Sequence, residues 1–201
     1  MKISIICAMD DKRGIGKNNK IPWHIKDDLI KLKRLTKDHV VILGRKTYDS
    51  MVWYYNKSGK PMPGKLYIVI THDKDYKPTR DNTVVAQSIE KALEIAKDQY
   101  DYYSSSESRA MSRESREVFK KNSSRLTSFA RTINNNEIFI IGGGQIFQQA
   151  LPMADKLYLT IVEGDYNCDT FFPDYSTFKK VVSEEEKEGE GHKYKFLELE
   201  K

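Results

Sequence analysis

Apolar positions along this 201-residue chain follow two rhythms. Short runs rich in β-branched residues, such as Ile3-Ser4-Ile5-Ile6-Cys7 and Leu66-Tyr67-Ile68-Val69-Ile70, read as buried strands, and segments of helical spacing lie between them. That alternation predicts an α/β sheet. The predicted strands are residues 1–9, 40–43, 66–71, 83–86, 137–141, 156–163, 178–183 and 192–200. A helix is predicted over residues 27–36, with Leu29, Ile30, Leu32 and Leu35 apolar and Asp27-Asp28 at the N-terminus, where the helix dipole favours negative charge. Further helices are predicted over residues 46–51, from an N-cap at Ser88 to about residue 97, and over residues 145–151. The reversal at Glu188-Gly189-Glu190-Gly191 predicts that the last two strands pair antiparallel.

Two stretches interrupt this rhythm and read as insertions. Residues 53–59 form a short tyrosine-bearing excursion, and residues 100–136 are rich in Ser, Arg, Lys and Asn. Within the longer one Leu126, Phe129, Ala130 and Ile133 fall at i, i+3, i+4 and i+7, the face of one amphipathic helix. No internal repeat is visible, and residues 1–201 read as one domain.

Composition narrows the class. Hydrophobic residues make up 39% and charged residues 31%, an ordinary globular balance. The net charge of +5 suits anionic ligands, although a lysine-rich surface is commonly a solubility device. Cys7 lies in an apolar run and Cys168 in a polar loop, so the pair forms neither a disulfide framework nor a metal site. One lysine precedes the first apolar strand, too little for a signal peptide, and no run reaches membrane length; a cytoplasmic protein is the expectation.

Three constellations carry chemistry. In Ile15-Gly16-x4-Ile21-Pro22-Trp23-x4-Asp28, Gly14 and Gly16 let a loop bend close to a ligand, and Pro22-Trp23 stiffens its exit. Asp28 beside Leu29 and Leu32 is predicted to be partly desolvated, with its proton affinity raised; a mere N-terminal helix charge is the plainer alternative. In Val41-Ile42-Leu43-Gly44-Arg45-Lys46-Thr47 a strand ends in glycine, and cations with a hydroxyl begin a helix, a phosphate-binding arrangement when it is more than solvated charge. In Ile138-Phe139-Ile140-Ile141-Gly142-Gly143-Gly144 three glycines between strand and helix let backbone amides approach a pyrophosphate. This is not G-x-G-x-x-G, which disfavours an ordinary dinucleotide-binding fold.

In this order the motifs resemble dihydrofolate reductase. The match includes Gly16, Ile21-Pro22-Trp23, Asp28-Leu29, Leu43-Gly44-Arg45-Lys46-Thr47, Ser50, Met62-Pro63-Gly64, Ile141-Gly142-Gly143-Gly144, Leu157-Tyr158-Leu159-Thr160 and Asp169-Thr170-Phe171-Phe172-Pro173. It runs nearly end to end apart from the two insertions.

The resemblance implies a mostly parallel eight-stranded sheet flanked by helices, with an antiparallel C-terminal strand. It implies NADPH-dependent reduction of dihydrofolate to tetrahydrofolate by hydride transfer. Asp28, Trp23 and Thr160 would be catalytic, with Asp28 binding the amino-pyrimidine edge of the pterin and promoting protonation of the substrate, and Thr160 supporting Asp28. Ile6, Ala8, Leu29, Leu32, Ser50, Met51 and Lys65 would complete the folate pocket. Ala8, Ile15 and Gly16 would lie near the nicotinamide. Arg45, Thr71 and His72 would hold the 2′-phosphate. Gly44, Lys46, Thr47, Gly143, Gly144, Gln145, Ile146 and Phe147 would hold the pyrophosphate and its flanks. The resemblance further implies a cis Gly142–Gly143 peptide and a mobile lid over residues 14–23. No metal, nucleic-acid or membrane partner is implied, and the expected state is a monomer.

Two positions depart from the family pattern. Lys65 follows Pro63-Gly64 where an arginine is usual, and Phe147 stands where tyrosine is common. A related reductase of riboflavin biosynthesis shares the fold and NADPH, but the Pro22-Trp23…Asp28 set argues against it. A nucleic-acid binder would use the residue 101–136 segment, yet seven basic side chains there face four acidic ones, too small a surplus without stacking aromatics.

Overall fold

The computed structural model describes residues 1–104 and 137–201. The predicted helix at residues 126–133 lies outside the described residues. Eight strands form the main sheet: β1 (Lys2–Asp10), β3 (Val40–Gly44), β4 (Leu66–Ile70), β5 (Thr83–Ala86), β6 (Glu137–Ile140), β7 (Lys156–Val162), β9 (Lys180–Gly189) and β10 (His192–Glu200). Their spatial order is β5-β4-β3-β6-β1-β7-β10-β9. Neighbours from β5 through β7 pair in parallel, and β10 runs antiparallel to both β7 and β9. This is the predicted α/β class. Two further strands, β2 (Gly14–Gly16) and β8 (Thr170–Phe171), make a separate antiparallel ribbon.

Strand periodicity divides the core into two layers. On β1, Ile5, Cys7 and Met9 face one side, where α3 (Ile89–Ser104) contributes Ala92, Ile95 and Ala96 and α4 (Gly144–Ala150) contributes Ile146, Phe147 and Ala150. Ile6, between them, faces the other side with Phe139 and Tyr158, against Leu32 and Leu35 of α1 (Lys26–Thr36). On that same side Val41, Leu43, Tyr67 and Val69 pack against Tyr48, Met51 and Val52 of α2 (Arg45–Ser58).

Three local expectations are corrected. Helix α2 does not stop at residue 51: residues 53–58 are its C-terminal turns, not an excursion. Tyr48, Met51, Val52 and Tyr55 stand at i, i+3, i+4 and i+7, one continuous inward face, and Tyr48 and Tyr55 are buried. Gly59 ends the helix at φ 65°, a left-handed conformation that glycine adopts freely, with its N–H bonded to the Asn56 carbonyl. Helix α3 starts as predicted, with Ser88 Oγ accepting from the Lys91 amide at 3.2 Å, but it continues to Ser104. Strand β9 covers Lys180–Gly189 rather than residues 178–183, because it pairs along nearly all of β10.

Helix α1 brings the fourth correction, and it bears on the site. Ile30 was read as part of the apolar face but is 55% exposed, whereas Lys31 is 7% exposed. The inward stripe is Asp28, Lys31, Leu32 and Leu35 (i, i+3, i+4, i+7), so Ile30 falls on the outer side. Among the described residues no helix is long and apolar enough to cross a membrane.

Candidate active site

The three constellations meet at the carboxyl end of the parallel strands, where open α/β sheets bind their ligands. Strand β1 delivers Ala8 opposite Thr160 of β7 in the parallel register. Thr160 is 2% exposed and its hydroxyl donates to Asp28 Oδ1 at 2.6 Å, joining α1 to the sheet. Burial pushes the Asp28 carboxyl above the usual aspartate range; the Thr160 hydrogen bond and the Lys31 cation pull it back. The expected desolvation is therefore present, and it is opposed by specific partners. On β1, the neighbouring Cys7 thiol is pushed up by burial and by the Asp28 charge, so it stays protonated.

Apolar walls flank this carboxylate. Ile6, with Leu32 and Ile141, forms one cluster; Met51 of α2 and the same Ile141 both pack against the neighbouring one of Val41, Leu43, Tyr48, Tyr67 and Val69. Leu29 is half-buried beside Asp28, and Ser50 is exposed on α2. Trp23 is buried with Ile25, Val162, Tyr194 and Phe196, against Ala8, and stands edge-on to Tyr166. Its indole N–H has no hydrogen-bond acceptor in the protein among the described residues, the kind of buried donor that a ligand or ordered water satisfies. Lys65 lies farther along, before β4, half-buried, with its amide bonded to the His39 carbonyl. Burial lowers the proton affinity of its ammonium, and Asp38 raises it.

The two glycine motifs form one cradle. The Gly44 amide donates to the Gly142 carbonyl at 2.7 Å, and the Gly142–Gly143 peptide is cis, as the resemblance implied. A Cβ at Gly44 would stand 3.3 Å from the Ile146 side chain, and the Thr47 hydroxyl borders both Gly142 and Gly143. Lys46 reaches Asn19 of the residue 14–23 loop at 3.0 Å. Arg45 sits outside the cradle, 3.9 Å from Asp73 and over the Tyr76 ring, on the edge that also carries buried Thr71 and exposed His72. Phe147 faces the core, edge-on to Phe172. Gln145 is exposed at the start of α4. The donor set suits a phosphorylated dinucleotide: backbone at the pyrophosphate and a guanidinium at one end.

Two aspartates to which the sequence reading gave no role hold the loop, Asp169 having been noted only within the matching motif of residues 169–173. Asp10, 1% exposed, accepts from the amides of Lys12 (2.9 Å), Gly14 (2.7 Å) and Tyr166 (3.2 Å). Asp169 binds the loop from the other side, its amide donating to the Gly16 carbonyl at 3.0 Å and its carboxylate accepting from the Asn18 amide at 2.7 Å. A Cβ at Gly14 would lie 2.5 Å from Cys168 Cβ, so only glycine fits. Burial and Asp10 raise the Cys168 pKa, which keeps the thiol protonated. Ile15 then reaches the third glycine, its Cδ1 lying 3.7 Å from a Cβ built on Gly144. The available signal was the turn preference of aspartate, at Asp10 before a glycine-bearing turn and at Asp169 after Cys168. Among the described residues no group of three or more His, Cys, Asp or Glu side chains is arranged for a metal ion.

Comparison with known proteins agrees with this geometry. The family model for dihydrofolate reductase matches residues 2–106 and 104–201. The dihydrofolate reductase of Bacillus subtilis (strain 168) is 32% identical over 203 residues, covering 99% of this chain and 94% of that one. That of Staphylococcus haemolyticus is 31% identical over 198 residues, covering 98% and 92%. A solved structure of dihydrofolate reductase from Enterococcus faecalis, complexed with NADP(H) and RAB-propyl, shares the fold with a TM-score of 0.67 at 23% identity, over 99% of this chain and 95% of that one. With a family model spanning the sequence and full-length relatives above 30% identity, this chain belongs to the dihydrofolate reductase family.

Proposed function

We propose that the chain reduces 7,8-dihydrofolate to tetrahydrofolate, binding the pterin at the Asp28–Thr160 pair and NADPH across Gly44 and the Gly142-Gly143-Gly144 turn. One observation carries this reading: a carboxylate with raised proton affinity, held at 2.6 Å by Thr160 beside a cradle of backbone amides. NADPH, when bound, supplies the hydride. Everything else is done by the chain's own side chains and backbone.

Asp28 accepts two hydrogen bonds from the amino-pyrimidine edge, and Thr160 fixes the carboxylate plane for them. The negative charge favours a proton on the substrate's ring nitrogen. That proton, with the hydride delivered to the adjacent carbon, completes the reduction. The Trp23 indole N–H offers a donor to a water that could relay the proton. Ile6, Ala8, Leu29, Leu32 and Met51 provide the apolar walls, and Ser50 a hydroxyl at the rim. Ile15 and Gly16 cover the reacting ring from the loop, excluding water. Lys46, Thr47 and the start of α4, Gly144 to Ile146, would hold the pyrophosphate and its flanks, whereas Phe147, buried against Phe172 with its amide bonded to the Gly143 carbonyl, would only support the turn from the core. Arg45, Thr71 and His72 select the 2′-phosphate.

The test is loss of NADPH absorbance on adding dihydrofolate, repeated with NADH. Turnover with NADPH and far weaker turnover with NADH is expected. No turnover would overturn the assignment of the reaction, and equal use of NADH would overturn the assignment of Arg45, Thr71 and His72.

Lys65 gives a smaller prediction. In this reading it meets the substrate's glutamate carboxylate as a point charge on a flexible stem, where an arginine would make two parallel hydrogen bonds. Its partly desolvated ammonium also holds its proton less firmly than usual. Lys65→Arg should lower KM for dihydrofolate about fivefold, roughly 1 kcal/mol, with little change in the hydride-transfer rate. An unchanged or higher KM in steady-state kinetics would remove Lys65 from the folate grip.

A further inference from the structure

The buried lysine on α1 has no part in the scheme above. Lys31 stands one helical turn beyond Asp28 on the same inward stripe, and only 7% of its surface is exposed. Its ammonium lies over the Phe196 ring at 4.2 Å from the centroid. Phe196 is the β10 residue directly opposite Thr160 in the β7–β10 ladder, and Thr160 is the donor to Asp28. Asp28, Thr160, Phe196 and Lys31 therefore form one closed circuit of helix and sheet.

A lysine is an expensive residue to bury, and burial does lower its proton affinity. What offsets this is a set of negative partners: Glu198 of β10 first, then Asp28, then Glu185 of β9, against the like charge of Arg34 on the same helix. The ring adds a cation–π contact on a desolvated face. Lys187 of β9 lies over the same Phe196 ring at 5.3 Å, but Glu185 (3.3 Å) and Asp27 (3.9 Å) are its ion-pair partners. Glu198 is shared with Lys156 at 2.9 Å. Among the described residues the thiol of Cys7 on β1 and the phenol of Tyr194 on β10 also sense Asp28; both hold their protons, so neither carries a compensating positive charge.

We infer that Lys31 is an electrostatic positioning residue: its buried cation, fixed on Phe196, keeps Asp28 ionised and so sets the pH range over which the site works. This rests on Asp28 acting as proposed above. A positive charge near the site disfavours every added proton, on the carboxylate and on the substrate's ring nitrogen alike. Removing it moves both titrations in the same direction, upward. A residue that only fills space beneath the pocket would move neither.

The experiment pairs Lys31→Met, one atom shorter and still able to pack on Phe196 but without the charge, with Lys31→Arg, which keeps the charge. The Asp28 carboxyl is followed by carbon-13 NMR against pH in the full chain without ligands, and turnover is followed against pH with NADPH and dihydrofolate. In Lys31→Met the carboxyl titration should move upward, and the ratio of turnover at pH 8 to that at pH 6 should rise roughly twofold or more. In Lys31→Arg both should stay near wild type. An unmoved carboxyl titration in Lys31→Met, or the same displacement in Lys31→Arg, would overturn the inference. If Lys31→Met does not fold, Lys31→Gln is read by the same two measurements. Failure here is separable from failure of the site itself: an active Asp28→Asn would overturn the role of Asp28, whereas an inactive Asp28→Asn with an unmoved titration in Lys31→Met would overturn only the role of Lys31.

Discussion

Asp28→Asn is expected to reduce turnover at pH 7 by about 10²- to 10⁴-fold, the usual scale for losing a positioned acid–base group. Asparagine keeps the side-chain shape and can still accept the 2.6 Å hydrogen bond from Thr160 through its carbonyl oxygen. What it loses is the charge and the second acceptor oxygen. The deficit should therefore shrink as pH falls, because solvent then protonates the substrate without help. Stability should move the other way. Burial raises the folded-state pKa of Asp28 above its ordinary value. The folded state thus binds this proton more tightly than the unfolded chain, and stability falls as pH rises from the ordinary value through the raised one. Above that window the charged, partly desolvated carboxylate carries its full penalty, and asparagine does not. At neutral pH the variant should unfold at the same temperature as wild type or higher. Near-wild-type turnover at pH 7, or a deficit that grows on acidification, would remove Asp28 from the chemistry.

Gly143→Ala is expected to weaken NADPH binding by about 10- to 100-fold, which corresponds to roughly 1–3 kcal/mol of overpacking. Gly143 caps α4 with φ −91° and ψ −160°, a conformation open to alanine. Among the described residues a Cβ there would meet only the Thr47 hydroxyl, at 3.5 Å, an ordinary contact. The protein itself therefore tolerates the methyl group, and the clash is with whatever occupies the cradle. Gly144 would be a poorer choice, since its Cβ would lie 2.8 Å from Thr170 Cγ2 and strain the β2–β8 ribbon. Fluorescence titration with NADPH, alongside thermal unfolding, separates the two effects. Unchanged affinity in a folded variant would place the pyrophosphate elsewhere.

The strands were legible because each is a short apolar run that either alternates or is covered on both faces; β1 displays its two layers as Ile5, Cys7 and Met9 against Ile6. The glycine turn and the Gly44-Arg45-Lys46-Thr47 helix start were legible because special backbone and charge leave a local mark. The desolvation of Asp28 was legible for the same reason: a carboxylate set against leucines at the start of a helix is a local anomaly. Element ends were harder. The α2 stripe Tyr48, Met51, Val52 and Tyr55 was present in the letters, but the tyrosines at its end disguised a helical face as an excursion.

What the chain order settled by itself was the alternation of strand and helix and the three motifs, since each depends on neighbours a few residues away; that they converge at the carboxyl end of the parallel strands did not follow from it. What required the folded molecule were the pairings across long separations. Thr160 and Asp28 lie 132 residues apart, and only the register of β7 beside β1 brings that hydroxyl under that carboxylate. Asp10 and Asp169 hold the loop through backbone amides, so the turn preference of aspartate marks a turn at each but not which amides it binds. Lys31 shows the limit most clearly. By composition it belonged outside and Ile30 inside; the rotation of α1 against the sheet, set by the whole of its inward stripe, reversed the two. A helix has one phase, and once Asp28, Leu32 and Leu35 face the sheet, Lys31, at i+3 from Asp28 and i−4 from Leu35, must face it too, where Phe196 and Glu198 make the buried charge tolerable.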